Sequence, residues 1–262
     1  MRTLGFVKGL FAVASASLAL WTLAYTDAAL QSLPSWLPWR AIWVYASPLI
    51  VLAASAGLFH SRAALPCILT IAAYEALSAA ISVPPFLSKS TGIGDWYPFF
   101  EALTPFSGAW VLYAIMRRQL QRSPSPVAGD RTVRLAQALF GTTCVFYGWS
   151  HFAYAEYTAS LVPAWLPGHL AFAYVTGLGH CAAGLALIVG VLPRLAANLE
   201  AAMMSLFGLL VWVPSFFMDP RPQWATPPES QWLELAMNLV LAASAWSIAA
   251  SLENRPSSCG KH

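Results

Sequence analysis

Ionisable and amide side chains interrupt the long apolar stretches of this chain, and they are the residues best placed to do chemistry. His151, Glu234 and Asn238 are expected near one membrane surface, with His180 deeper. Glu234 and Asn238 are four residues apart, so they share one helix face. A carboxylate beside an imidazole suits a proton relay, because histidine titrates near neutral pH. These four residues form the candidate pocket, and the sequence assigns no catalytic residue.

Other polar groups also lie within the apolar stretches, where an ionisable side chain is costly and needs a reason. They are Glu75, Glu101, Asn198 and Glu200. Structural roles are open for several of them. Glu101 and Glu234 are expected in the first turn of their helices, where the helix dipole favours a carboxylate. His180 could make an interhelical hydrogen bond, and Glu200 could pair with Arg194.

The composition of the 262-residue chain is typical of an integral membrane protein. Hydrophobic residues make up 58% and charged residues 10%, and the mean hydropathy is +0.59. A soluble domain carries about 25% charged residues. These values exclude a soluble globular enzyme, a disordered chain and a disulfide-rich module. The net charge of +3 gives no basic face for nucleic acid.

Eight apolar stretches are long enough to cross a bilayer core as helices. Their continuous apolar character predicts helices rather than alternating strands. The sequence therefore predicts an all-α polytopic membrane protein. The stretches span 5–27, 40–59, 63–83, 98–117, 132–154, 169–192, 195–214 and 231–252.

The basic residues give the predicted orientation in the membrane. With eight spans, 11 of the 14 Lys and Arg residues lie on the side that holds both termini, and three lie on the other. Basic residues favour the cytoplasmic side of the membrane. We therefore expect both termini in the cytoplasm and the protein in a bacterial inner membrane.

The two halves of the chain repeat one another. Residues 34–38 (PSWLP) recur as residues 163–167 (PAWLP). We call the number of residues between the starts of these two segments the repeat spacing. Val83 recurs as Val213, one position beyond that spacing. An even number of spans per unit makes the two repeats parallel. The predicted fold is thus eight transmembrane helices in two parallel four-helix bundles. The units are 1–117 and 132–252, joined by a cytoplasmic linker, 118–131, and followed by a polar tail, 253–262.

The second unit resembles the DoxX family of small four-helix membrane proteins. The matching segments are SLVPAWLPGHLAF, TGLGHCAAGLALIVGVLPRLAA, LFGLLVWVP and WLELAMNLVLAASAW, within about 148–252. The first unit keeps the PxWLP loop but has Ala46-Ser47-Pro48 where the second has its Thr-Gly start, and it is interpreted as a diverged copy. The resemblance implies a four-helix bundle per unit and a link to redox complexes, with a quinone as candidate cofactor.

The second unit holds most of the polar residues, since the first has Thr22 and Val51 at the places of His151 and His180. A metal site is not expected, because no single helix has His-x-x-Glu-type spacing. A dithiol relay is not expected either, because the four cysteines form no CxxC pair. The expected partners are the lipid bilayer and either a membrane redox complex or a second copy of the chain.

Three functional classes remain open, and whether the protein is an enzyme is undecided. The chain could be an accessory or membrane subunit of a redox-linked complex with a quinone or lipid pocket in its second unit. It could instead be a non-enzymatic structural bundle or a small-molecule carrier. Convergence of His151, His180 and Glu234 in one pocket would favour an enzyme. A cavity shared by Glu75 and Glu200 would favour a carrier. A structural bundle would be favoured if each polar residue made its hydrogen bonds with neighbouring helices.

Overall fold

The computed structural model describes residues 2–83, 92–120, 129–220, 222, 224 and 227–253, and every regular element in that part of the chain is helical. The prediction of an all-α fold is therefore confirmed. The first half contains α1 (Arg2–Ala24), α2 (Thr26–Ser32), α3 (Arg40–Gly57), α4 (Ala64–Ser82), a 3-10 turn (Ile93–Trp96) and α5 (Tyr97–Leu120). The second half contains α6 (Asp130–Ala153), α7 (Ala155–Leu161), α8 (His169–Val189), α9 (Pro193–Phe207) and α10 (Pro228–Glu253). Residues 121–128 of the predicted linker and 254–262 of the predicted tail lie outside the described residues.

Seven helices among the described residues are long and apolar enough to cross a membrane. They are α1, α3, α4, α5 with its 3-10 turn, α8, α9 with its continuation to Ser215, and α10. Helix α6, where the sequence predicts the fifth span, is not among them. Its apolar positions are interrupted by Arg131, Arg134 and Gln137. The count of eight spans therefore stays a prediction.

The first and fifth apolar stretches each end in a sharp turn, earlier than predicted in the first stretch and at the predicted residue in the fifth. The helix expected over 5–27 ends at Ala24, and a turn at Tyr25 leads into α2. A turn at Tyr154 separates α6 from α7 in the same way. Trp39 before α3 and Gly168 before α8 both adopt left-handed backbone conformations. The two halves thus share these local backbone features at the repeat spacing.

The buried faces of the long helices also recur at the repeat spacing. In α3, buried Val44, Pro48, Val51, Ala54 and Ser55 correspond to buried Ala173, Gly177, His180, Ala183 and Gly184 of α8. In α4, buried Ile68, Ile71, Ala72 and Glu75 correspond to Ala197, Glu200, Ala201 and Met204 of α9, which are buried too. The same faces are therefore turned inward in both halves.

A wide π-helical turn over Gly208–Trp212 follows α9 and continues into Val213–Ser215. Matching residues before this turn are separated by the repeat spacing, whereas Val213, which lies after it, is separated from Val83 by one residue more. The turn therefore lies where the second half contains one additional residue. A π turn holds more residues than an α turn, so it can take up one additional residue. We expect the extra residue of the second half to be accommodated there.

The helix packing crosses the boundary between the two sequence units. Helix α1 packs on α3 and on α10, whereas α6 packs on α8 and on α5. The core of the first unit includes Val240 and Ala243 of α10, and the core of the second includes Val111 and Ala114 of α5. The last helix of each unit is therefore shared by both cores.

Glycines allow some of these helices to approach very closely. A Cβ atom added at Gly108 of α5 would lie 2.7 Å from the Cα of Ser244 in α10. One added at Gly184 of α8 would lie 2.4 Å from the carbonyl oxygen of Gly141 in α6. Small residues serve this purpose in membrane bundles, where close van der Waals contact drives helix association. The tight α6–α8 contact fixes the wall of the site described next.

Candidate functional site

A cavity of about 880 Å³ lies between α5, α6, α8, α9 and α10, with α7 and the loop after it at its edge. Most of its wall is apolar, including Phe207 and Leu241. The π-helical turn contributes Leu210, Val211 and Trp212. Ligand pockets in proteins are typically apolar with a few placed polar groups, and this volume is within their usual range. π turns inside helices also occur frequently at functional sites.

All four residues of the candidate pocket line this single cavity: His151, His180, Glu234 and Asn238. Glu101 lines it as well, and it belongs to α5 of the first unit. Asn198 lies on α9 outside the described lining, as do Glu75 of α4 and Glu200 of α9.

His180, in the cavity wall, and Glu200, behind it, form a buried pair. The Nδ1 atom of His180 lies 2.8 Å from Oε1 of Glu200, and their side chains are 2% and 0% exposed. The interhelical hydrogen bond considered for His180 is therefore present. A carboxylate on Nδ1 fixes the orientation of an imidazole and leaves Nε2 for a ligand. Glu200 thus positions His180 without lining the cavity itself.

The ion pair considered between Glu200 and Arg194 is wrong. Arg194 instead lies 3.4 Å from Oε1 of Glu253, near the end of α10. Arg194 is the second residue of α9 and is exposed, whereas Glu200 is almost two turns further along and faces α8. Sequence proximity suggested the pair, but the helix turns the two side chains toward different neighbours.

His151 lies beside His180 on the cavity wall. Their ring centroids are 5.0 Å apart in a T-shaped arrangement, and Phe207 stacks on the His151 ring. Nδ1 of His151 lies 2.9 Å from the hydroxyl oxygen of Thr176. That hydroxyl donates to the carbonyl of Phe172 at 2.8 Å, so it accepts from His151. The two imidazoles are therefore held at fixed angles.

Glu101 and Glu234 are the acidic residues of the cavity lining, and their carboxyl groups are close enough to interact electrostatically. Both were expected in the first turn of their helices, and this expectation is wrong. Helix α10 begins at Pro228, six residues before Glu234, and α5 begins four residues before Glu101. Proline favours the first positions of a helix, so α10 starts earlier than its apolar stretch. The helix dipole acts mainly within the first turn and does not account for these carboxylates.

Asn238 lies one turn below Glu234 on the same face of α10. Its amide nitrogen donates to the backbone carbonyl of Glu234 at 2.9 Å. Its Oδ1 atom is buried and has no hydrogen-bond partner among the described residues. Buried polar atoms normally have a partner, so this oxygen, on a residue that lines the cavity, lacks the hydrogen bond that a ligand group could supply.

The structure adds polar residues that the sequence analysis did not single out. Tyr97, Tyr147, Tyr154 and Tyr157 all line the cavity, and so does Thr176. Helical spacing could have indicated two of them, since Tyr147 lies four residues before His151 and Thr176 four residues before His180. Tyr97 comes from the first unit, and no spacing within the second unit points to it.

No group of three His, Cys, Asp or Glu residues that could hold a metal ion is found within the described part of the chain. Cys67, Cys144 and Cys181 are free cysteines. The fourth cysteine of the sequence, Cys259, lies outside the described residues.

Comparison with known proteins gives one match. The model of a domain of unknown function (DUF8561) matches residues 140–249. This range contains His151, His180, Glu234 and Asn238. It begins after Glu101 and therefore does not include that residue. No curated protein and no solved structure matches the chain.

Proposed function

We propose that this membrane protein binds a lipid-soluble small molecule in the cavity between α5, α6, α8, α9 and α10. The convergence of Glu101, His151, His180, Glu234 and Asn238 on one apolar cavity carries this proposal. Polar groups within a membrane are costly and usually have a functional reason. Five of them around one space are better explained by a shared ligand than by five separate structural needs.

The membrane setting is part of the same proposal. In it, α6 is an eighth span, and the chain forms two parallel, duplicated four-helix units of the DoxX-like kind. The asymmetry of the Lys and Arg residues supports cytoplasmic termini and a bacterial inner membrane. The recurrence of buried faces at the repeat spacing supports the duplication.

The redox link implied by the DoxX resemblance makes a quinone, or its quinol, the first ligand to test. The cavity volume of about 880 Å³ accommodates a quinone ring and the first part of an isoprenoid tail. In this role the protein is an accessory or membrane subunit, and a partner complex or a second copy supplies the remaining redox machinery. Imidazole and carboxylate groups would then exchange protons with the ligand.

Mass spectrometry of small molecules that co-purify in mild detergent tests the proposal. Wild type is compared with His180→Ala and Glu234→Gln, and Glu75→Gln is the matched control because it removes an intramembrane carboxylate outside the cavity. We expect one lipid-soluble compound to be retained by wild type and Glu75→Gln and to fall about tenfold or more in both cavity variants. Equal, non-specific lipid in all four proteins would contradict the proposal and favour a structural bundle.

A further inference from the structure

Several hydrogen-bond donors in the cavity wall are already engaged with the protein, beginning with the two histidines. Nδ1 of His151 lies 2.9 Å from the Thr176 hydroxyl, whose own hydrogen is donated to the carbonyl of Phe172. Nδ1 of His180 lies 2.8 Å from Oε1 of Glu200, which accepts when it is an ionised carboxylate. We therefore assign the hydrogen of each ring to Nδ1. A neutral imidazole has one donor and one acceptor, so each ring presents Nε2 as an acceptor. Both histidines therefore offer a lone pair rather than a hydrogen to a ligand.

Two of the tyrosines that line the cavity, Tyr97 and Tyr147, also have an acceptor for their hydrogen within the protein. The Tyr147 hydroxyl lies 3.5 Å from the hydroxyl of Thr104, whose own hydrogen is donated to the carbonyl of Phe100. The Tyr97 hydroxyl interacts with Ser150, whose hydrogen is donated to the carbonyl of Tyr147. Each phenol therefore has a protein acceptor for its hydrogen.

Asn238 gives the strongest constraint on the ligand. Its amide group has two donors and one oxygen that can accept. The contact between Nδ2 and the Glu234 carbonyl fixes which end is nitrogen, because a carbonyl only accepts. The remaining atom, Oδ1, is buried with no partner among the described residues. A ligand that stabilises it must bring a hydrogen.

Glu101 and Glu234 extend the acceptor surface of the cavity. A carboxyl group presents an acceptor oxygen in either protonation state. The described residues that line the cavity include no Lys or Arg to neutralise these groups. The rings of Tyr97, Tyr147 and Trp212 line the same cavity, and aromatic faces also favour a nearby cation.

We propose that the cavity selects an apolar molecule whose polar end donates hydrogen bonds, either a protonated amine or the hydroxyl of a quinol, rather than a molecule that only accepts. This inference rests on the proposed function and narrows its ligand class. The oxidised quinone has two carbonyl oxygens and no donor, so it leaves Oδ1 of Asn238 unsatisfied. A quinol or an ammonium group supplies the missing hydrogen.

Three probes with one compact apolar body test the inference: 1-adamantylamine, 1-adamantanol and 2-adamantanone. The amine presents a cationic hydrogen-bond donor, the alcohol a neutral donor, and the ketone an acceptor without a donor. Binding to the purified full-length protein is measured in detergent through the rise in its thermal unfolding midpoint with probe concentration. A ligand that binds the folded state raises that midpoint by an amount that grows with its affinity.

We expect the amine and the alcohol to bind at least about tenfold more tightly than the ketone, the usual scale of one satisfied buried hydrogen bond. An amine that binds more tightly than the alcohol identifies a cationic ligand, and equal affinities identify a quinol-like hydroxyl. A ketone that binds as well as the other two overturns the inference but leaves the proposed binding function intact. If no probe raises the midpoint, both proposals fail.

Two variants test whether Oδ1 of Asn238 causes the preference for a ligand that donates a hydrogen bond. Asn238→Leu removes the orphaned oxygen while keeping the side-chain volume similar, and Asn198→Leu is the matched control on α9 outside the cavity lining. We expect the preference for the amine over the ketone to fall about tenfold in Asn238→Leu and to stay unchanged in Asn198→Leu. An unchanged preference in Asn238→Leu contradicts the assignment of Oδ1 as the selecting acceptor.

Discussion

The two halves of the chain bury the same helix positions, but at two of these positions, one on each of two neighbouring helices, the second half has polar residues and the first half apolar ones. In the second half this pair is His180 and Glu200, which are hydrogen-bonded at 2.8 Å. In the first half the same positions hold Val51 and Ile71, which are 4% and 0% exposed. Both pairs therefore suit the fold. A buried polar pair rarely stabilises a protein more than an apolar pair of similar volume, so the polar pair indicates a role in the adjoining cavity.

The helices around the two pairs also pack at different distances. Gly141 and Gly184 meet between α6 and α8, whereas the matching positions of α1 and α3 hold Ala12 and Ser55. The first half thus tolerates a Cβ atom where the second half does not. The difference indicates that the polar wall of the second half depends on closer helix contact than its apolar counterpart.

Breaking the polar pair is expected to have the largest effect. Glu200→Ile leaves the neutral His180 imidazole buried without its hydrogen-bond partner, which destabilises a protein by about 3 kcal/mol. The double variant His180→Val with Glu200→Ile reproduces the apolar pair of the first half, and we expect it to recover most of the lost stability. Denaturant or thermal unfolding in detergent measures both. A double variant as unstable as Glu200→Ile would contradict the equivalence of the two pairs.

The glycine contact gives the next largest effect. Gly184→Ala places a Cβ atom 2.4 Å from the carbonyl oxygen of Gly141, and we expect a loss of about 2 kcal/mol because the helices must separate. Gly179→Ala in the same helix is the control, since its Cβ atom would meet the flexible Met203 side chain at 3.4 Å. Thermal unfolding of both variants in detergent gives the comparison, and equal stability would contradict the close-contact requirement.

Removing the π turn should affect the ligand more than the fold. Deletion of Leu209 restores the repeat spacing and lets the segment continue as α-helix, which rotates Leu210 and Trp212 relative to the cavity. We expect retention of the co-purified ligand to fall about tenfold, equivalent to about 1.4 kcal/mol. Leu209→Ala keeps the turn and should retain the ligand in the same mass-spectrometric assay. Full retention after the deletion would show that the π turn does not shape the cavity.

The smallest effect is expected at Glu75, which corresponds to Met204 in the second half. Glu75 is 6% exposed and lies outside the described cavity lining. We expect Glu75→Met to raise stability by about 1 kcal/mol, because it removes the desolvation cost of a buried carboxyl group. Thermal unfolding in detergent measures the change. A less stable variant would instead assign Glu75 a structural partner or a function of its own.

Much of the architecture follows from patterns that are local in the sequence. Continuous apolar stretches predict helices, because in lipid a helix satisfies its own backbone groups. The break at Tyr25 was not predicted, since the first stretch was expected to continue to residue 27, whereas the fifth stretch was expected to end at residue 154, where the second break lies. The early start of α10 was also missed, because Pro228 and its neighbours are polar although they extend the helix.

In the candidate pocket, too, the residues grouped by their spacing and depth were found together, whereas the partner of Glu200 on another helix was not predicted. His151, His180, Glu234 and Asn238 could be grouped by depth and helical spacing, and all four line one cavity. Glu200 was assigned to Arg194 because the two are close in the chain, whereas its partner is His180 on another helix. Glu101 was recognised as an intramembrane carboxylate, but its place in this cavity was not.

The sequence by itself determined the membrane character, the helical class and the polar residues of the second half, because composition and periodicity are properties of single segments. The tertiary structure alone decided that α1 packs on α10 and α6 on α5, so that the last helix of each unit serves both cores. Apolar helix faces fit one another in many pairings, and the choice among them depends on close surface contact. That choice brings Glu101 and Tyr97 of the first unit to the cavity of the second.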